Sequence, residues 1–265
     1  MRKAVETRII VSTMSPEAYA MQFSIGSRPI HWLCEVDDGG DTLLFLAPAE
    51  AAYLATLRAP KRRHDWLLGR RVAKRLIHAA LVAQMGSAPP LNEIVVARHP
   101  DGWPQVSLPT AMNAPPLTLS ISHSRDRAFC VLVWGDNEPL GCDIEAIEPR
   151  SPGFVADYFT ADERALMAAA PEAEHPTLAN AIWSGKEAAL KAIRRGLAED
   201  TRLVTCLPSP IYMDGGWREL TYRWEVSDRN LPALAGRWRE ADRYVMTLAA
   251  TEAPSNFDTG QGAPV

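Results

Sequence analysis

Two stretches of this sequence repeat one another. Ala49-Glu50 is echoed by Asp162-Glu163 at an offset of 113, Trp66 by Trp183 at 117, and Gly69-Arg70 by Gly185-Lys186 at 116. A basic residue follows in each copy, Arg75 and Lys191. Self-similarity over so long a period constrains the fold more than any single element, because each copy must bury its own helix against its own strands. The small drift in offset is what loop insertions produce. The pattern predicts an α+β fold of two similar α/β halves, residues 29–140 and 141–253, related by a pseudo-twofold axis. Residues 1–28 read as an extension, with a strand only over Thr7–Thr13, and 254–265, rich in Gly and Pro, as a disordered tail.

Within each half, helices and strands alternate. Ile30–Val36 reads as a strand and Pro48–Leu57 as a helix. From Arg62 to Met85 apolar residues recur at helical spacing, and Gly86 ends the run. Glu93–Ala97, Leu117–Ile121, Ala128–Trp134 and Pro139–Ile144 read as strands, with a turn at Asp101–Pro104. Thr160 with Glu163 is a capping box that opens a helix to Ala170. Pro176–Ile193 is a longer helix, and strands follow at Arg202–Leu207, Leu220–Val226 and Arg243–Ala249.

A net charge of −4 argues against a nucleic-acid binder that works by overall positive charge. No run approaches the roughly 18 apolar residues of a membrane span. Cys34, Cys130, Cys142 and Cys206 are scattered without a Cys-x-x-Cys pair, which suits reduced thiols in a cytoplasmic protein better than zinc or disulfides.

The chemistry concentrates in a few segments. In Gly141-Cys142-Asp143-Ile144-Glu145, strand alternation puts Asp143 and Glu145 on one face. Alone, they read first as solvated acids on a strand edge; like charges so placed repel unless a cation lies between them, and oxygen ligands favour Mg²⁺ or Mn²⁺ over zinc. In Trp183-Ser184-Gly185-Lys186-Glu187-Ala188-Ala189-Leu190-Lys191, the residues Trp183, Glu187 and Lys191 share a helix face. A Glu–Lys surface pair is the plainer reading of that segment by itself. Taken together, the two segments offer acids for a metal and a lysine for phosphate oxygens, the combination that cleavage of a diphosphate needs. Ser122-His123-Ser124 opens from a strand into a loop, where hydroxyl and imidazole suit phosphate, although a lone histidine is commonly structural. Lys61-Arg62-Arg63, Arg70 and Arg71 read either as a solvated helix start or as the mark of an anionic ligand.

These segments, in this order, resemble the Sfp-type 4′-phosphopantetheinyl transferase superfamily. The resemblance runs from the basic segment before Leu68-Gly69-Arg70 through Asp101-Gly102-Trp103-Pro104, Ser122-His123-Ser124 and Gly141–Glu145 to Phe159–Glu163 and Trp183–Lys191. The Asp-Ile-Glu and Trp-x-x-Lys-Glu-Ala-x-x-Lys elements are specific as a pair. The resemblance implies a monomeric enzyme with coenzyme A between its halves, moving the phosphopantetheine arm to a serine of an apo acyl, polyketide or peptidyl carrier and releasing adenosine 3′,5′-bisphosphate. It implies Mg²⁺ (or Mn²⁺) on Asp143, Glu145 and Glu187, and catalytic roles for Glu187, as ligand or base, and Lys191, on the diphosphate. It further implies coenzyme A contacts from Ser122, His123, Lys61, Arg63, Arg70, Gly102 and Pro104. The family's turn carries a basic residue between its Gly and Pro, where this chain has Trp103, whose ring is a candidate to lie near the adenine. The alternatives are a metal-dependent hydrolase of coenzyme A or another nucleotide diphosphate, and a non-catalytic coenzyme A- or carrier-binding module.

Overall fold

In the computed structural model the described residues are 7–9, 20–37, 39, 43–195, 199–210, 216–226 and 230–252. Alternating strands and helical runs sort into two antiparallel sheets, each backed by one long helix. The first sheet comprises β1 (Thr7–Ile9), β2 (Ala20–Ile25), β3 (Arg28–Val36), β6 (Leu117–Ser124) and β7 (Arg127–Trp134), in the order β1-β2-β3-β7-β6. A separate hairpin pairs β4 (Val95–Arg98) with β5 (Pro104–Ser107). The second sheet comprises β8 (Leu140–Ala146), β9 (Val204–Pro208), β10 (Arg218–Trp224), β11 (Ala235–Ala241) and β12 (Tyr244–Ala250), in the order β8-β12-β11-β10-β9. The helices are α1 (Pro48–Thr56), α2 (Pro60–Met85), α3 (Pro152–Tyr158), α4 (Ala161–Ala169) and α5 (His175–Ala192).

Period-two burial decides the layering. On β7, Ala128, Cys130 and Leu132 join Leu33 under Leu68, Val72, Leu76 and Ala80 of α2. The alternate residues Phe129, Val131 and Val133 pack with Trp32 against Cys142, Ile144, Met246 and Leu248 of the second sheet. Ala181, Ala188 and Ala192 of α5 cover the far face of that sheet through Val245, Cys206 and Ala249. The result is four layers, helix–sheet–sheet–helix, with the apolar core between the sheets.

The halves repeat in detail. Glu50, in the first turn of α1, accepts from the Ala47 N–H at 2.8 Å and the Val96 N–H at 2.9 Å, and pairs with the fully buried Lys74. Glu163, in the first turn of α4, accepts from Thr160 N–H at 2.7 Å and Cys206 N–H at 2.6 Å, and pairs with the fully buried Lys186 at 2.9 Å. Each carboxylate thus ties a helix start, a long helix and a far strand together, with its buried charge both paired and hydrogen-bonded. The same device corrects the expected register of the repeat. Lys74, not Arg70, is the counterpart of Lys186, because only a side chain inside the layer reaches the buried carboxylate.

The first half also begins earlier than Pro29. Residues 1–28 are not wholly an extension, since Ala20–Ile25 pairs with β3 and buries Phe23 and Ile25 in the inter-sheet core. The short alternation Ala-Met-Gln-Phe-Ser-Ile carries little signal without its partner strand. The segment 254–265 lies outside the described residues. Among the described residues, no helix is long and apolar enough to cross a membrane, and the four cysteines are free thiols.

Gly141 sets the distance between β8 and α5. A β-carbon there would lie 1.8 Å from the Ala188 carbonyl oxygen, so only glycine lets strand and helix approach so closely. Gly141→Ala is expected to destabilise the chain by about 3 kcal/mol in urea titration. Gly153→Ala is the control, because its added carbon meets nothing nearer than Ser151 Oγ at 3.9 Å and should change little.

Candidate active site

The close approach at Gly141 brings one face of β8 against one face of α5. Asp143 and Glu145 point to that side while Cys142 and Ile144 enter the core. Glu187 and Lys191, one turn apart on α5, meet them there. The Lys191 ammonium lies 2.6 Å from Asp143 Oδ1 and 3.8 Å from Glu187 Oε2, and it also donates to the Cys142 carbonyl at 3.1 Å and to Ser122 Oγ at 3.2 Å. Glu145 is held by Trp183 Nε1–H at 3.1 Å and by Arg150, whose guanidinium is 3.4 Å from its other oxygen. Arg150 carries no motif and escaped the sequence reading.

Asp143 and Glu187 share the Lys191 ammonium while Glu145 pairs with Arg150, so three carboxylates face two cations. Burial and the neighbouring Asp143 charge push Glu187 up to about 7. Burial, with Asp143 beside it, also raises Glu145. Burial pulls Lys191 down, but Asp143 and Glu187 outweigh it and hold the lysine above its usual value, charged.

The serines of β6 join this face to the first half. Ser120 Oγ accepts from Cys142 N–H at 3.0 Å, Ser124 Oγ from Ala146 N–H at 3.3 Å, and Ser122 donates to Asp143 Oδ1 at 2.7 Å. Side-chain hydroxyls at period two thereby serve the edge of β8 in place of a backbone ladder. Ser122 orients Asp143 and Lys191. His123 stands next to it, half-exposed, with Nδ1 3.9 Å from Asp65, itself bonded to Lys61 at 2.6 Å. Burial lowers the His123 pKa, with the Lys191 and Lys61 charges acting the same way against Asp65, so the ring is neutral at pH 7.

The remaining predicted contacts divide. Lys61 reaches this neighbourhood through Asp65. Arg63 instead donates to the Leu54 carbonyl at 3.0 Å at the end of α1. Arg70 does not join the set either: it is buried, donates from Nε to the Val96 carbonyl at 2.8 Å and lies over the Trp66 ring. A guanidinium that donates to a strand carbonyl inside the layer is committed to the fold.

Gly102, at φ 111°, and Trp103 form the tight turn between β4 and β5, closed by Gly102 N–H to His99 O and His99 N–H to Trp103 O, both at 2.8 Å. Trp103 stacks on His99 with centroids 3.9 Å apart, and the Arg194 guanidinium lies 4.6 Å over the same ring. The ring expected near a nucleobase is engaged by two groups of this chain, His99 and Arg194. The turn, with Pro104, instead walls a cavity of about 250 Å³ that Ser120, Lys191 and Arg194 also line. That cavity lies between β5 and β6, which are not laddered to each other, whereas their counterparts β10 and β11 are paired.

The first half has no equivalent acid set. Asp37 N–H bonds to Asp126 O and Ile147 N–H to Arg243 O, which aligns Glu35 with Glu145. In the register of Lys74 and Lys186, Arg75 then stands for Glu187 and Ala79 for Lys191. There Arg75 pairs with Glu35 at 3.1 Å.

Among the described residues, no three His, Cys, Asp or Glu side chains are grouped tightly enough to close around a metal ion. The chemistry of the donors nevertheless fits a hard divalent cation. Asp143 Oδ2 is buried without a hydrogen-bond partner, and Glu187 carries a raised pKa that added positive charge would relieve.

Comparison with known proteins gives one family match, to the model described as "ACPS: 4'-phosphopantetheinyl transferase superfamily", over residues 139–248. Among curated proteins, the chain is 27% identical over 132 residues to 4'-phosphopantetheinyl transferase psf-1 of Bacillus pumilus, covering 50% of this chain and 51% of that one. It is 34% identical over 136 residues to 4'-phosphopantetheinyl transferase AcpT of Salmonella typhi, covering 49% and 58%. The matched region thus spans about half the length of these relatives. A solved structure, "Chronobacterium ammoniagenes ACPS-CoA complex", aligns at 24% identity and TM-score 0.33 over 40% of this chain and 96% of that chain.

Proposed function

The second half of this chain, residues 139–248, belongs to the 4′-phosphopantetheinyl transferase superfamily, and from that premise we propose that the protein transfers the phosphopantetheine arm of coenzyme A to a serine of an apo carrier protein. The observation that carries the proposal is the cluster Asp143–Lys191–Glu187, with one buried carboxylate oxygen free. Asp143, Glu145 and Glu187 would hold Mg²⁺, which supplies charge neutralisation for the diphosphate when bound.

The chain's own groups account for the rest. The carrier serine oxygen bonds to the phosphorus that bears pantetheine, and the phosphorus–oxygen bond to the adenosine bisphosphate breaks. Lys191, held charged by Asp143, donates to the departing phosphate oxygen. Glu187, as metal ligand or as base, is the carboxylate that would take up the serine proton. Ser122 fixes Asp143, and the neutral His123 ring offers a donor to phosphate from the first half. Lys61, paired with Asp65 at the exposed start of α2, is a basic side chain of that region within reach of solvent-borne phosphate. The carriers served are acyl, polyketide or peptidyl, and the enzyme works as a cytoplasmic monomer.

Incubation with coenzyme A, Mg²⁺ and an apo carrier, followed by mass spectrometry, tests this reading. Gain of the phosphopantetheine mass on the carrier, lost when Mg²⁺ is chelated, is the expected result. Release of bisphosphate without a carrier would instead identify a hydrolase. Coenzyme A binding without either product would identify a binding module.

A further inference from the structure

α5 ends in a way its sequence disfavours. Arg195 N–H bonds to Leu190 O and Arg194 N–H to Lys191 O, both at 3.0 Å, a helix-terminating arrangement that puts Arg194 at φ 58°. Glycine is the ordinary occupant of that left-handed position, since a β-carbon crowds the backbone there. A strained residue that persists calls for an account of what its side chain does.

The guanidinium is held by two contacts. It lies over Trp103, which is backed by His99, and Nη1 donates to Asn137 Oδ1 at 2.8 Å. Neighbouring Arg195 is paired with Glu199 and Lys191 with Asp143. Among the described residues Arg194 forms no ion pair, and Asp136 acts on it only from a distance. Arg194 lines the cavity of about 250 Å³ that Lys191, three residues before it, also lines. A planar cation stacked on an aromatic ring presents its N–H groups edge-on in a set direction, the geometry that suits a phosphate.

We infer that Arg194 is a phosphate-binding residue of the co-substrate site, supplying from the end of α5 a positive charge to the cavity walled by the Gly102–Pro104 turn. This rests on the coenzyme A reading above. The phosphate is either the diphosphate, shared with Lys191, or the 3′-phosphate, and binding measurements separate the two.

Calorimetric titration of the full chain with coenzyme A and with dephospho-coenzyme A, which lacks the 3′-phosphate, provides the test. Arg194→Gly removes the charge while relaxing the backbone, so the melting temperature should hold or rise. Its affinity for coenzyme A should fall about tenfold. Arg194→Lys, which keeps charge but loses the fork and the stack, should fall in between. Loss confined to coenzyme A assigns the 3′-phosphate, and equal loss on both ligands assigns the diphosphate. Wild-type affinity of Arg194→Gly for both would overturn the inference, as would a lowered melting temperature with unchanged affinity, the mark of a structural role alone. If the wild-type chain bound neither ligand, the functional reading itself would fail, a result distinct from either.

Discussion

Glu187→Gln is expected to slow phosphopantetheine transfer by about a thousandfold or more, yet to stabilise the metal-free chain above pH 7. Burial and the Asp143 charge raise this carboxyl from 4.5 to about 7. Between those values the native state holds a proton that the unfolded state has released. Stability from this group is therefore complete below about pH 4.5 and lost as pH rises through about 7. Glutamine stays neutral and removes that dependence. At about 1.4 kcal/mol per pH unit the difference at pH 8 is of the order of 1–3 kcal/mol. Thermal melts of both proteins from pH 5 to 8, with and without Mg²⁺, check it. The wild-type curve should fall with pH when metal-free and recover with Mg²⁺, while that of Glu187→Gln should fall less and recover less. A flat metal-free wild-type curve would mean that the acid cluster does not strain the fold, and near-wild-type transfer by the variant would remove Glu187 from the reaction.

Lys191→Ala carries the second large effect. The ammonium makes four polar contacts within 3.8 Å and is the positive charge at the centre of the acid cluster. Its removal leaves Asp143, which is buried, bonded only to Ser122 beside two other carboxyls. Because Lys191 is partly exposed, solvent offsets some of the loss, and about 2 kcal/mol of destabilisation is expected. The kinetic effect should be larger: kcat down by about a thousandfold with KM for coenzyme A little changed, because the contact strengthens as charge develops on the leaving oxygen. Steady-state assays with saturating carrier separate the two constants. A change confined to the KM for carrier would instead make Lys191 a docking residue.

Much of this arrangement was legible in the residues. Alternation at 142–145 put two acids on one strand face, helical spacing at 183–191 put Glu187 and Lys191 on one helix face, and Thr160 with Glu163 marked the start of α4. That the two faces meet is set by the packing of β8 on α5. The misses have common causes. Ala235–Ala241 is a central strand, but Gly236 and the charges at 237, 239 and 240 hide the single buried Trp238 that fixes its face. Glu163 read as a local cap and Glu50 only as its echo, whereas their second oxygens bond strands 46 and 43 residues away. Sequence spacing is blind to such contacts. Arg70 looked like a ligand for anions because a basic side chain ordinarily faces solvent, yet a strand carbonyl inside the first half claims it. Trp103 could be seen to replace a basic residue. That its ring meets His99 and Arg194 depends in part on how α5 ends.

The three serines of β6 have a mechanical meaning as well. Elsewhere in both sheets, neighbouring strands are stitched by amide ladders, but along β6 and β8 the stitches are rotatable hydroxyls, so the molecule has a seam running through its reactive centre. Groups on one bank (Asp143, Glu187, Lys191) and on the other (His123, Lys61) belong to different halves of the chain. A co-substrate touching both banks would act as a weld, coupling halves that are otherwise joined by side chains along this line, and the cooperativity of the whole fold would then depend on what is bound between them.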